Sequence, residues 1–249
     1  MTPSRTLLAL ALLLLTAPVR AGWWDDAWLD PALLEAHSQE GGSGFIHVPA
    51  AQALPNGLLT GAIHRYRVKI GRGFPYGIEA GGQIELEGWK MDEAEKRNLL
   101  YLRWAPIDAR RYGVGLAMGA ESVGFEDLGF KTLGFLPTQA LEGLDRLYVV
   151  AGGLLPHLPM AYAAVGYAGG AVAPSAPMAV LVFSPFPGLA GMAEYEGNFT
   201  HVGIRLLLST QIKLDLALSR LQAIDPQKPF ANVLENNLRF GVSYSEEWP

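Results

Sequence analysis

The feature that most constrains this chain is a period of two in its hydropathy, sustained from about residue 57 to the C-terminus. Apolar residues at every second position line one face of a β-strand, whereas an amphipathic helix spaces them three and four apart. Val202, Ile204, Leu206 and Leu208 alternate with His201, Gly203 and Arg205. Ile212, Leu214, Leu216 and Leu218 follow after Ser209 and Thr210, a spacing that predicts a hairpin. Leu238, Phe240, Val242 and Tyr244 repeat the pattern near the end. Earlier, residues 58–70 read as one strand with Ala62, His64, Tyr66, Val68 and Ile70 opposite Arg65, Arg67 and Lys69. Residues 76–89 set Tyr76, Ile78, Ala80, Ile84 and Leu86 against Glu79, Gln83, Glu85 and Glu87, with Gly71–Pro75 as the turn between. Paired as a hairpin, these two strands place a basic face against an acidic one. Further strands are expected near 98–105, 111–119, 145–152, 161–168, 177–183 and 190–197, with an irregular candidate in 121–134. Leu154–Pro159, Ala171–Pro177 and Leu221–Leu234 read as loops.

This pattern predicts an all-β fold, an antiparallel up-and-down barrel of about 10 to 12 strands, each long enough to cross a bilayer at a tilt. Alternation permits either orientation of the faces. In a soluble periplasmic lipid-binding barrel the apolar face is the interior; in a transmembrane barrel it meets lipid and the charges line the lumen. Three features favour the second: an export signal, the absence of cysteine from an exported chain, and aromatics near strand ends, Tyr76, Trp89, Trp104, Tyr112 and Tyr244. Glycines on the polar face, Gly113, Gly115, Gly203 and Gly241, suit a narrow interior. Residues 1–21 carry Arg5, an apolar run from Leu7 to Leu15, Pro18 and a small residue at Ala21, which predicts a cleaved signal peptide. Residues 22–44 mix Trp23, Trp24, Trp28, Leu29, Leu33 and Leu34 with Asp25, Asp26, Asp30 and Glu35. A short amphipathic helical segment, at the membrane surface or plugging a barrel mouth, is expected there, with a frayed terminus as the alternative. Residues 45–249 then form a single barrel domain.

The lumen of such a barrel is predicted to hold a charge network of Arg65, Arg67, Lys69, Glu79, Glu85, Glu87, Glu194, Glu196, Arg205, Lys213 and Asp215. The net charge of −5, with basic residues scattered among acidic ones, argues against a nucleic-acid partner. His37, His47, His64, His157 and His201 show no metal-ligand spacing, and no Gly-x-Ser-x-Gly turn is present, so no metal, cofactor or catalytic residue is expected. The alternative enzymatic reading, a small lipid-modifying barrel, would use His201 with Glu194 and Ser209.

Gly44-Phe45-Ile46-His47-Val48-Pro49-Ala50-Ala51-Gln52-Ala53-Leu54-Pro55-Asn56-Gly57 resembles the opening PTAxxLPxG segment of the YjbH-like outer-membrane barrel proteins, with Ala50 in place of Thr. Met192–Gly197 followed by Val202–Arg205 is similar to that family's EYDG…NxGxR hairpin, and Phe240–Ser245 to its closing strand. The resemblance implies an outer-membrane location, a barrel in contact with outer-membrane lipid, and an association with the components of exopolysaccharide export.

Overall fold

The computed structural model describes residues 29–36, 44–64, 67–85, 99–122, 144–170, 175–224, 232–233 and 237–248. Twelve strands run in chain order: β1 (Leu58–His64), β2 (Arg67–Phe74), β3 (Ile78–Glu85), β4 (Leu99–Ile107), β5 (Val114–Ser122), β6 (Leu144–Leu155), β7 (Leu158–Gly169), β8 (Ala176–Phe186), β9 (Leu189–Glu196), β10 (Phe199–Leu207), β11 (Ile212–Leu218) and β12 (Leu238–Glu247). Each pairs antiparallel with its neighbours in sequence, and β1 pairs with β12 to close the ring. Closure leaves no strand edge unpaired, the condition a β-structure must meet to stand in hydrocarbon. Among the described residues no helix is long and apolar enough to cross a membrane.

The faces fall as an inverted barrel requires. Ile63, Ile70, Ile84, Leu102, Leu181, Ile204, Leu216 and Phe240 are exposed on the outside, while Lys69, Glu79, Arg103, Glu194, Arg205 and Lys213 are buried within. A water-soluble barrel has the opposite distribution, so this is a transmembrane barrel. One end carries short connections at Pro75–Gly77, 108–113, 156–157, 187–188 and 208–211; the longer spacings, 86–98, 123–143 and 219–237, fall at the other. Phe74, Tyr76, Trp104, Tyr112, Phe186 and Trp248 are exposed around the short-turn end, and Tyr167 and Phe199 towards the opposite rim.

Local sequence explains the irregular points. Pro187-Gly188 supplies a fixed φ and then a positive one (Gly188, φ 80°), the two demands of a type II turn. Register shifts occur between Trp104 and Ile107 and between Phe183 and Phe186, the stretches that contain Pro106 and Pro185. A proline offers no N–H to the ladder, so pairing must slip around it. The connection between β4 and β5 is a one-turn helix, α1 (Ala109–Tyr112), capped by Asp108 at its start and closed by Gly113 in the left-handed region at its end.

Several sequence expectations need correction. Residues 58–70 are not one strand but β1 and the start of β2, which pair with each other. His64 therefore faces inward while Val68 and Ile70 face lipid, because the alternation changes phase across the reversal. Gly71–Phe74 belongs to β2 rather than to a turn, and the reversal comes at Pro75–Gly77. Leu154–Pro159 is mostly strand, with a two-residue turn at Pro156-His157. Gly113 ends α1 instead of lining the lumen. The signal peptide, Trp23, Trp24, Trp28, His37, Tyr66, Trp89 and residues 123–134 of the irregular candidate strand lie outside the described residues.

The inverted barrel predicts that Ile204→Lys, at the middle of β10 on the outer face, destabilises vesicle-folded protein by roughly 2–4 kcal/mol in a denaturant titration. Unchanged stability would place that face in water.

Candidate functional site in the barrel lumen

The chain ahead of β1 folds back inside the ring. Leu29, Leu33, Leu34, Phe45, Ile46, Val48, Ala50, Ala51, Ala53 and Leu54 are all exposed by 2% or less. A short 3-10 turn (Pro31–Leu34) starts this plug, capped where Asp30 accepts the N–H of Ala32 at 2.9 Å. The plug packs against an apolar inner wall from β6 to β9, formed by Val150, Leu154, Tyr162, Met178, Val180 and Met192, with the rings of Phe45 and Tyr162 5.4 Å apart. Each such leucine or phenylalanine contributes about 1.5–3 kcal/mol on leaving water. On the remaining wall the plug backbone comes so close that only glycine fits. A Cβ on Gly73 would lie 2.0 Å from the carbonyl oxygen of Pro55, and one on Gly115 would lie 2.5 Å from that of Ala51.

An irregular segment cannot satisfy its own amides, and the wall does this with side chains. Both carboxylate oxygens of Glu194 (β9) are used: they accept the backbone N–H groups of Ile46, of His47 at 2.7 Å and of Val48 at 3.2 Å. The turn that presents these three donors is closed by the N–H of Phe45 on the carbonyl of Val48, 3.0 Å. Arg205 (β10) is held by Asp215 (β11) through two bonds, 2.5 and 3.1 Å, and turns its remaining nitrogen onto the carbonyls of Leu33, 2.6 Å, and Gly44, 3.0 Å. Arg103 (β4) donates to the carbonyl of Gln52 at 3.0 Å and to the Tyr148 hydroxyl at 3.1 Å, beside Glu79. Glu79 in turn accepts the N–H of Leu54 at 3.0 Å, and the Tyr162 hydroxyl accepts that of Ala51 at 3.0 Å. At the short-turn mouth, Arg110 of α1 joins the carbonyl of Ala53 at 3.2 Å and Glu35 at 3.4 Å. Burial pushes the Glu35 carboxyl above its ordinary range, and Arg110 opposes that only in part.

Of the residues expected to form the lumen network, Lys69, Glu79, Glu194, Arg205, Lys213 and Asp215 are buried inside, and Arg67 and Glu196 are half-buried. Glu194 and Glu196 do not act together. The first holds the plug, and the second pairs with Arg146, which also faces Glu121 at 3.5 Å. Lys213 donates to Ser245 at 2.7 Å. Glu85 pairs its backbone with Arg67, its side chain lying outside the described residues together with Arg65 and Glu87. The sequence reading missed Arg103, Arg146, Glu121 and Tyr162. A signal was available for Arg103, since Leu100, Leu102 and Trp104 alternate with Tyr101 and Arg103.

The residues of the enzymatic alternative are not assembled. His201 stands opposite Glu194, but Ser209 sits in the exposed turn beyond β10, where its hydroxyl accepts the N–H groups of Gln211 and Ile212. His64, Ser243 and Asp215 look superficially like a catalytic trio, yet the serine at 3.3 Å and the aspartate at 3.9 Å both approach the same ring nitrogen. A working triad uses the two nitrogens separately, and Asp215 is already committed to Arg205. Among the described residues no three His, Asp or Glu side chains are placed to hold a metal. A concavity of about 550 Å³ lies on the outside, where Leu102, Trp104, Met118, Leu147, Val149 and Tyr167 face lipid.

Together these features define a transmembrane β-barrel whose lumen is filled by its own N-terminal segment. No protein-family model matches the sequence, and no curated protein matches it. Among solved structures the chain is similar in fold to the KdgM porin in complex with disordered oligogalacturonate, with 10% identity over 75% of this chain and 96% of that one and a TM-score of 0.43. The NanC porin gives 11% identity over 75% and 98% of the two chains, with a TM-score of 0.41. A triple mutant of the Rhodopseudomonas blastica porin gives 9% identity over 72% and 55%, with a TM-score of 0.34.

Glu194→Ala leaves three buried amides without their acceptor and should loosen the plug by roughly 3 kcal/mol or more. Limited proteolysis should then cut between residues 44 and 57 while the barrel keeps its heat-dependent gel mobility. Resistance equal to the natural protein would show that Glu194 does not hold the plug. Because the Glu35 pKa is raised in the folded state, docking loses stability as pH climbs from the ordinary carboxylate range towards neutral, and the loss is complete above the raised value. Glu35→Gln should therefore melt higher than the natural protein at neutral pH, with the difference closing as acid protonates Glu35.

Proposed function

We infer that this chain is an exported, non-enzymatic outer-membrane barrel, closed by its own N-terminal segment, with a structural or envelope-transport role. The observation that carries the reading is the way the plug is held. Its apolar side chains fill the ring, but its attachment to the charged wall is made of main-chain hydrogen bonds, donated by plug amides to Glu194 and Glu79 and accepted by plug carbonyls from Arg205 and Arg103. Bonds of this kind exchange against water or a polar cargo at small net cost, so release of the plug has to overcome chiefly its apolar packing on the β6–β9 side. A lumen built this way is closed at rest and can be opened without unfolding the barrel.

Removal of residues 1–21 on export and contact with outer-membrane lipid belong to the same reading, supported by the leader-like N-terminus and the exposed apolar belt. The resemblance to the YjbH-like proteins supports a narrower version, in which the barrel works with components of exopolysaccharide export. In that resemblance the segment from Gly44 to Gly57 is the opening motif, and here it precedes β1, with Phe45–Leu54 in the plug.

Planar-bilayer recording tests the reading. The full chain should conduct weakly, and deletion of residues 22–56 behind an intact leader should raise conductance by about tenfold or more, as expected when a ring of this size loses its filling. Equal conductance of the two proteins, both shown to be folded by heat-dependent mobility, would refute closure by the N-terminal segment.

A further inference from the structure

The tip of the plug meets the wall through a pair of histidines. His47, in the turn that presents its amides to Glu194, and His201, on β10, are both buried, with ring centroids 4.3 Å apart. Nδ1 of His201 accepts the backbone N–H of Arg220 at 3.2 Å, at the start of the 3-10 turn (Leu221–Ala223) that follows β11. A ring nitrogen that accepts a hydrogen bond carries no proton, so the His201 imidazole is neutral in this arrangement. Across the ladder from His201 stands Glu194, whose two oxygens are taken by the three plug amides.

Among the described residues, the neighbouring charges Arg146, Arg205 and Arg220 have other contacts. Arg146 pairs with Glu196, the next inward-facing residue after Glu194 on β9, and Arg205, two inward-facing positions beyond His201 on β10, pairs with Asp215. The guanidinium of Arg220 lies over the Phe199 ring, 5.3 Å from its centroid. One carboxylate committed to the plug backbone thus faces two imidazoles, one from the plug and one from the wall.

We propose that His47, His201 and Glu194 form an acid-operated latch, which holds the plug tip at neutral pH and releases it when both imidazoles are protonated. This rests on the reading of the N-terminal segment as a plug. A proton on Nδ1 of His201 removes the bond from Arg220 and sets two N–H groups against each other. A second proton, on His47, places two like charges in contact away from water, beside the Glu194 carboxylate that already serves the plug amides. A proton on Glu194 takes from the three plug amides part of their acceptor. The two-imidazole state and the Glu194 proton both weaken docking, and imidazoles are the side chains that gain charge between neutral and mildly acid pH. Because His201 touches both the plug tip and the chain after β11, release at the tip and movement of that connection are coupled.

Hydrogen exchange of the protein in lipid vesicles tests this, read as protection factors so that the intrinsic pH dependence of exchange is divided out. Between about pH 7.5 and about pH 5, protection of the Ile46, His47 and Val48 amides should fall at least about tenfold in the natural protein. The fall should be markedly smaller in His201→Asn, whose side-chain oxygen still accepts from Arg220 but does not titrate, the remainder being the part due to the Glu194 proton. Equal protection at both pH values in the natural protein, or the same fall in His201→Asn, overturns the latch. Should His201→Asn fail to give the heat-dependent mobility of a folded barrel, His47→Asn serves instead: a flattened response supports the latch and an unchanged one overturns it. Tip amides unprotected even at neutral pH would overturn the plug reading itself, a different failure from protection that is high and indifferent to pH.

Discussion

A stretch of irregular backbone enclosed in a barrel must have every N–H and C=O answered, because neither water nor its own geometry answers them. In this protein the bond of the Glu194 carboxylate to three successive amides meets that requirement at the Phe45–Val48 turn, and the rest of the lumen follows from it. Arg205 and Arg103 supply donors for plug carbonyls, and Asp215 and Glu79 hold those guanidinium groups in place. The charges inside this barrel are therefore the hydrogen-bonding half of a peptide-binding surface, whose apolar half is the wall from β6 to β9. The burial of Arg205 and Arg103 is tolerable because each is both paired, with Asp215 and with Glu79, and hydrogen-bonded to plug carbonyls.

This division also accounts for the glycines. Gly73 and Gly115 lie where plug carbonyls come within a bond length or two of a Cβ that is absent, and Gly241 makes the same room for the His64 ring. The plug and the wall are consequently matched in shape as well as in polarity. Outside, the barrel needs no such matching, and Ile63, Leu102, Ile204 and Phe240 need only be apolar. The outer face could drift among hydrophobic residues while the inner face could not.

The strand pattern was legible because alternation is a property of single residues and their neighbours. It misled where a reversal carries no turn residue. The sequence between His64 and Arg67, Arg65-Tyr66, holds no glycine, proline or asparagine, so the alternation ran on through the reversal and put His64 and Val68 on one face. The lumen charges were legible as charges, yet their partners were not, since Glu194 and Arg205 bind backbone groups that leave no mark in the sequence. Nor does the plug announce itself. Phe45–Leu54 has neither a helical nor a strand period, and its role depends on being enclosed by strands up to about 150 residues away, as the separation of Ile46 from Glu194 shows.

The central claim is that a peptide core, and not water or lipid, fills a barrel whose oily face is outside. Magic-angle-spinning NMR of the protein in lipid bilayers tests both halves in one experiment. The account predicts a through-space contact between the Tyr162 ring and the Ala51 amide, protected from water, together with contacts from the Ile204 methyl groups to lipid chain protons. A Tyr162 ring in contact with water or lipid, or Ile204 methyl groups in contact with water, would contradict it.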